Sequence, residues 1–304
     1  MLKLGLQNHT HAMIINELKV IEIFCQIDDF VKSCESFTGS KLLGKDSPQS
    51  VNRPGITLSE MMCIEILYHH SGHKCFEYYY RFSILKGALG KLFPSAPSYS
   101  RYVQLKPRVF TLMVLFLHAS RLGRECGLYY ADSTTLSVCH NRRINNHKVF
   151  KNQAARGKSS MGWFYGFKLF LVVNAFGELI RVAFCGANVA DNNTGMMLKL
   201  FSKLKGWAFA DKGFINGKAT EELFTKGLHI VTGIRANMKN KLVNYQQKLL
   251  LKKRGMIESI NDILKTVCDI EHSRHRSPIN ALVNLYSGLV AYTFLDRLPN
   301  IFSR

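Results

Sequence analysis

The sequence predicts a mixed α/β sheet with helices on its faces, preceded by an all-α N-terminal part. Two patterns support this fold class. Up to residue 125, apolar residues recur at helical spacing between Ser-Gly and Pro turns, and from residue 128 short β-rich runs alternate with helical segments. The chain has 304 residues, of which 47% are hydrophobic, so it can form two domains and a sizeable core. We predict a helical domain over 1–125 and an α/β domain over 126–304 that ends in a helix.

The N-terminal part is predicted to contain helices over 60–68, over 73–85, from Ser98 and from Pro107. Thr57 or Ser59 is expected to cap the first of them. Short helices separated by such turns are typical of a helical bundle, either a helix-turn-helix DNA-binding domain or a plain packing domain. Three histidines lie near the end of the first helix, but no second ligand pair accompanies them, so a metal site there is not favoured.

From residue 128 the predicted order is strand, hairpin, helix, strand, helix, strand, helix. The predicted strands span 128–131, 164–174, 179–185, 207–210 and 228–234, and the helices span 195–203, 220–225 and 256–269. This order is also that of the ribonuclease-H-like fold. The segment 141–160 is interpreted as a flexible basic loop that becomes ordered on DNA. The uncharged run 279–295 contains polar residues, so we interpret it as a buried C-terminal helix and not as a membrane span.

The net charge of +20 indicates that the protein meets a polyanion. Residues 129–304 hold 26 Lys and Arg but 11 Asp and Glu, so the second part carries most of the excess. Two long stretches in it, 133–177 and 223–257, are basic and free of acids, and they include Trp163 and Tyr245, which can stack on bases. The eight cysteines form no CxxC pair, which argues against a zinc ribbon. Without an export signal, we expect a cytoplasmic protein that does not enter a membrane.

Three carboxylates are candidates for chemistry. Asp132 and Asp211 each follow a short apolar strand, and strand ends in such sheets gather side chains into one crevice. Glu258 opens the last helix of the α/β part. Taken singly, each Asp is more often a turn former and the Glu more often part of a solvated helix face. Together, beside so many cations, they can bind two Mg²⁺ ions, for which Mn²⁺ can substitute, and so cleave a phosphodiester.

The chain resembles DDE-type bacterial insertion-sequence transposases, most closely the insertion-sequence 982 family. The resemblance lies in the segments 131–134, 210–214, 254–258, 270–277 and 283–292. It extends into the N-terminal part through 92–94 and 97–99, and so covers nearly the whole chain. It implies that Asp132, Asp211 and Glu258 are the metal-binding triad. Related transposases carry Tyr-x2-Arg-x3-Glu-x6-Lys around the Glu. Here Arg254 and Lys265 fit that pattern, but Leu251 replaces the Tyr.

The function this implies is cleavage of DNA at the ends of an insertion sequence and joining of the 3′-hydroxyl to target DNA. Two alternatives remain: a ribonuclease-H-like nuclease without strand transfer, and a non-catalytic DNA-binding protein derived from a transposase. The partner is double-stranded DNA, with a homodimer or larger assembly at synapsis and a place in the bacterial nucleoid. Lys265 is expected to act beside the triad. The residues expected to contact DNA are Arg142, Arg143, Lys158, Lys212, Lys252, Lys253 and Arg254.

Overall fold

The computed structural model describes residues 17–38, 55–233, 244–271 and 275–302. Contacts divide the chain into two compact units. The first comprises Met1–Phe116, Ile263–Asp269 and Val283–Asp296, and the second comprises Leu117–Asp262, Ile270–Leu282 and Arg297–Arg304. Most of the C-terminal helix thus belongs to the first unit, whereas the sequence division had placed it in the second part. In the described residues, no helix is long and apolar enough to cross a membrane.

The first unit is built from helices. They are α1 (Glu17–Thr38), α2 (Leu58–His70), α3 (Phe76–Tyr79), α4 (Tyr99–Leu105), α5 (Phe110–Phe116) and most of α10 (Pro278–Tyr292). A π-helical turn continues α3 over Tyr80–Ile84, and a 3-10 turn over Lys106–Val109 leads into α5. Thr57 forms a full capping box with Glu60 at the start of α2, as the sequence predicts for one of its two candidates. No strand occurs among the described residues before 128.

Helix α2 is the centre of the first unit, because nearly all of its residues are buried. Two of its polar members have partners inside the core: Glu65 lies 2.7 Å from the ammonium group of Lys106, and His69 contacts the Ser287 hydroxyl at 2.9 Å. Burial lowers the pKa of His69 to about 3 and that of His70 to about 4, so both rings are neutral at physiological pH.

The second unit contains a six-stranded mixed sheet with the order β2-β3-β1-β5-β6, in which β4 also pairs with β3. The strands are β1 (Leu128–Cys139), β2 (Ala155–Ser159), β3 (Gly162–Asn174), β4 (Leu179–Gly186), β5 (Gly206–Ala210) and β6 (Leu228–Thr232). The pairs β1–β5 and β5–β6 are parallel, and the others are antiparallel. The helices of this part are α6 (Thr194–Leu200), α7 (Gly217–Thr225), α8 (Tyr245–Lys252) and α9 (Gly255–Thr266).

Helices lie on both faces of this sheet. Tyr129 and Ala131 of β1 belong to a buried cluster with residues of α6 and α7. Because side chains alternate along a strand, Tyr130 and Asp132 point to the other face. There the Tyr130 hydroxyl donates to the Leu250 carbonyl of α8, and Asp132 accepts a hydrogen bond from α9. The structure therefore confirms a mixed sheet with helices on its faces.

Three sequence predictions about the elements need correction. Strand β1 does not end before Asp132 but continues to Cys139, because residues 129–139 pair with the long strand β3. The segment 141–160 is not a loop: it contains a 3-10 turn over Asn141–Asn146 and the strand β2. Helix α8 was not predicted. The hairpin of β3 and β4 is confirmed.

Candidate active site

Two neighbouring parallel strands place the two aspartates. Ala131 of β1 and Ala210 of β5 are register partners in the last step of the parallel pairing. Asp132 and Asp211 are the next residues on each strand. After this point β1 continues beside β3, whereas β5 ends, and Asp211 begins a short 3-10 turn over Lys212–Phe214. Asp132 therefore stands where the parallel pairing ends, although not at the end of its own strand.

Asp132 is a largely buried carboxylate. Its Oδ2 atom accepts a hydrogen bond of 2.9 Å from the Nδ2 atom of Asn261 on α9. Burial raises the pKa of Asp132 to about 6, and the nearby charges of Asp211 and Glu258 act in the same direction to a smaller extent. The Arg254 guanidinium opposes this shift. A cation beside Asp132 would favour its ionised form.

Arg254 joins the other two carboxylates. Its Nη1 atom lies 3.5 Å from Oδ1 of Asp211, and its Nη2 atom lies 2.9 Å from Oε1 of Glu258, one helical turn further on. The side chain of Arg254 is 16% exposed, compared with 54% for Asp211 and 63% for Glu258. The structure thus brings the three predicted carboxylates together around one guanidinium that is mostly shielded from solvent, with two of the carboxylates open to solvent.

The donor set of this cluster is of the type that binds a hard divalent cation, since all three side chains supply carboxylate oxygens. Arg254 is placed against two of them, which shows that this position attracts positive charge. Within the described ranges, no group of three or more His, Cys, Asp or Glu side chains is arranged to hold a metal ion. In the structure, Arg254 is the cation that pairs with Asp211 and Glu258.

A basic cavity of about 400 Å³ lies beside the loop that follows Asp211. Its lining includes Arg156 and Lys158 of β2, Trp163 of β3 and Gly213. Lys158 and Trp163 are cross-strand partners, and the ammonium group lies 5.8 Å from the centre of the indole ring. Trp163 is 64% exposed. Exposed cations beside an exposed aromatic ring suit the backbone and bases of a nucleic acid.

A buried ion pair shapes the floor of this cavity. The Lys168 ammonium group lies 2.9 Å from Oδ1 of Asp191. A Cβ atom on Gly213 would stand 3.0 Å from the other oxygen of that carboxylate. A larger residue at position 213 would therefore crowd the Asp191 side chain. The sequence analysis did not identify this pair as part of the site, because the two residues are distant in sequence.

The remaining predicted DNA contacts are spread over this unit. Arg142 and Arg143 are exposed on the 3-10 turn after β1, Lys212 is exposed directly after Asp211, and Lys252 and Lys253 are exposed at the end of α8. Lys265 lies on α9, seven residues after Glu258, in a segment that belongs to the first unit. Part of the second basic stretch, residues 234–243, lies outside the described residues.

Asn261 is the residue of this site that sequence reasoning missed. Its signal was present, because it is a polar residue four positions after Ile257 and three before Leu264, on the apolar face of α9. A buried amide in such a position needs a polar partner, and Asp132 is that partner.

A search of curated proteins found no match. A solved synaptic complex of piggyBac transposase with hairpin DNA matches with 11% sequence identity and a TM-score of 0.49, covering 95% of this chain and 76% of that chain. The family model described as "Transposase DDE domain" matches residues 122–278, just over half of the chain, and includes all three carboxylates and Arg254. The chain belongs to the DDE-domain transposase family.

Proposed function

We propose that this protein is a transposase of the insertion-sequence 982 type, which cleaves DNA at the ends of its element and joins the 3′-hydroxyl to target DNA. The observation that carries the proposal is that Asp132, Asp211 and Glu258 all lie close to Arg254, inside the matched transposase domain. We also propose that the catalytic part has a ribonuclease-H-like fold. The mixed sheet with helices on both faces supports this assignment.

Asp132, Asp211 and Glu258 would hold the divalent cations, two Mg²⁺ ions for which Mn²⁺ can substitute. When bound, such ions activate the attacking hydroxyl and stabilise the leaving oxygen of the phosphodiester. Asp132 is buried and fixed by the sheet, whereas Asp211 and Glu258 face solvent and are accessible to DNA.

Arg254 has two alternative sets of partners in this scheme. Its planar guanidinium pairs with Asp211 and Glu258 through its two Nη atoms in the structure. The same two N–H donor groups can bind two oxygens of a DNA phosphate. Lys265 would contact a phosphate as a point charge. We propose that Arg254 exchanges its carboxylate partners for phosphate when DNA and metal arrive together.

The DNA surface of the catalytic part would include the basic cavity of Arg156, Lys158, Trp163 and Gly213. Its charge supports binding to the phosphate backbone, and the exposed ring of Trp163 supports stacking on a base. The exposed cations Arg142, Arg143, Lys212, Lys252 and Lys253 extend it. We assign recognition of the element ends to the helical part over 1–125, and synapsis to a homodimer or larger assembly in the bacterial nucleoid.

The test uses an oligonucleotide that carries the inverted repeat flanking the gene, incubated with the protein and Mg²⁺. Wild type is expected to release a 3′-hydroxyl at the element end and to join it to a second duplex. Asp211→Asn should abolish both products and leave DNA affinity within about twofold, because binding depends on phosphate contacts. Asp262→Asn, an exposed carboxylate on α9, is the matched control and should remain active.

The outcomes separate the alternatives. Cleavage without joined product would identify a nuclease without strand transfer. DNA binding without Mg²⁺-dependent cleavage by wild type would identify a non-catalytic DNA-binding protein. Full cleavage by Asp211→Asn would remove Asp211 from the catalytic site.

A further inference from the structure

Asn261 is a buried polar residue in the wall of the active site. It lies on α9 and is 9% exposed, on the face that also carries the fully buried residues Ile257 and Leu264. An apolar residue at this position would continue the buried stripe of the helix. A buried amide must find hydrogen-bond partners, since an unsatisfied one bears the full cost of its desolvation.

The amide of Asn261 is only half satisfied by the protein. Its Nδ2 atom donates to Oδ2 of Asp132 at 2.9 Å. Its Oδ1 atom is buried and has no hydrogen-bond partner among the described residues. The two ends of one small side chain therefore differ: one end holds a carboxylate of the active site, and the other is an oxygen acceptor that needs a donor.

We infer that Asn261 is a positioning residue for Asp132, an inference that rests on the proposed function. By donating to Oδ2, it fixes the rotation of a carboxylate that also accepts from the backbone N–H of Ser133, and so sets how Asp132 presents its oxygens to a divalent cation. The orphaned Oδ1 of Asn261 is suited to accept a hydrogen bond from the hydration shell of that cation. Partners of this kind, behind a ligand, set its orientation and its affinity for metal.

A neutral amide suits this task better than a charged side chain. A Lys or Arg at 261 would compete with the cation for Asp132, as Arg254 does for Asp211 and Glu258. A carboxylate at 261 would lack a proton to donate and would add a fourth like charge. Asn satisfies Asp132 without neutralising it.

A purely structural role for Asn261 predicts a different result. If the amide only fills a buried position, its loss should lower stability and change nothing in metal binding. If it positions Asp132, its loss should weaken metal binding by about 10–100-fold, the range found for partners behind a ligand. DNA binding without metal should stay within about twofold of wild type, because Asn261 is buried and contributes no charge.

The experiment compares wild type with Asn261→Leu, which keeps the branching and the number of side-chain heavy atoms but removes both polar ends, and with Asn261→Ala. Ser259→Ala, an exposed change on the same helix, is the control. Mn²⁺ is titrated by electron paramagnetic resonance into each protein bound to element-end DNA, and the Mn²⁺ dependence of cleavage, DNA affinity without metal and melting temperature are measured in parallel. We expect Asn261→Leu to bind Mn²⁺ more weakly than wild type and to recover cleavage at high Mn²⁺ concentration. Ser259→Ala should match wild type in all of these measurements.

If Asn261→Ala does not fold, the measurements on Asn261→Leu alone test whether Asn261 positions Asp132. Wild-type Mn²⁺ affinity and Mn²⁺ dependence in a folded Asn261→Leu protein would overturn the inference and leave the proposed function intact. A wild-type protein that neither binds Mn²⁺ on DNA nor cleaves would overturn the proposed function itself, and the inference with it.

Discussion

Ala131 of β1 and Ala210 of β5 are register partners, and the next residue of each strand is an aspartate. Backbone pairing between the two strands therefore sets the spacing of Asp132 and Asp211. Asp132 lies within β1 itself, and Asp211 directly follows the end of β5. Sites built on strands are held more precisely than sites built on loops. Glu258 comes from α9, Arg254 directly precedes that helix, and together they complete the cluster.

Asp132→Asn is expected to stabilise the protein in the absence of metal. The pKa of Asp132 is raised from its usual value of 3.8 to about 6, so the folded state binds the proton more tightly than the unfolded state. Wild-type stability relative to the variant should therefore fall as pH rises from about 4 to about 6, and then level off. Urea unfolding at pH 7.5 should show a gain of roughly 1–3 kcal/mol for the variant.

At pH 4.5 most of this gain should disappear, because wild-type Asp132 is then protonated in the folded protein. Asp262→Asn, on the exposed side of α9, should change stability by less than about 0.5 kcal/mol at both pH values. A variant less stable than wild type at pH 7.5 would show that the ionised carboxylate is well compensated.

Arg254→Ala is expected to have opposite effects on metal and on DNA. Without DNA, Mn²⁺ affinity should rise by roughly 3–10-fold, because a competing cation has been removed from Asp211 and Glu258. DNA affinity should fall by about tenfold, because a charge-assisted phosphate contact is lost. Calorimetry measures both. Arg181→Ala, which removes the surface pair with Glu125, is the control; a parallel loss of both affinities in Arg254→Ala would refute the exchange of partners.

Trp163→Ala and Lys158→Ala should weaken DNA binding in distinguishable ways. Loss of the exposed ring should cost about 1–3 kcal/mol and leave the salt dependence unchanged, as expected for stacking. Loss of the ammonium group should reduce the slope of log affinity against log salt by about one unit. Fluorescence anisotropy over a salt series tests this. Phe176→Ala, an exposed aromatic in the β3–β4 turn, should show neither effect.

Lys265→Ala should lower strand transfer at least tenfold, roughly 1.4 kcal/mol, with little change in melting temperature. The reason is its place on α9, seven residues after Glu258, from which its stem can reach a phosphate beside the site. Lys199→Ala on α6 serves as the exposed-lysine control. Lower thermal stability with full strand transfer would assign Lys265 a structural role.

Local sequence signals predicted much of the fold and part of the site. The β3–β4 hairpin follows from two apolar runs around a short turn, and Asp211 follows a short buried strand, so both could be located from neighbouring residues. The length of β1 could not be predicted from neighbouring residues. Its polar residues after Ala131 resemble a strand end. What extends the strand is pairing with β3, whose partner residues lie between 39 positions (Asp132 and Leu171) and 26 positions (Cys139 and Tyr165) further along the chain.

The contacts that organise the site were also beyond sequence reasoning. The proximity of Arg254 to Asp211 depends on how α9 packs on the sheet, which no spacing in the sequence reveals. Asn261 was visible as a polar residue on an apolar face, but its partner Asp132 is 129 residues away.

Arg254 also has a consequence for how the protein can be handled. Because Arg254 supplies one positive charge to Asp211 and Glu258, half of the negative charge of this pair is balanced before any metal is added. Folding of this kind does not depend on a supply of metal, in contrast to small zinc domains that unfold in chelator. The protein is therefore expected to melt at the same temperature with and without EDTA. Under the proposed function, it would remain inactive until divalent ions are added.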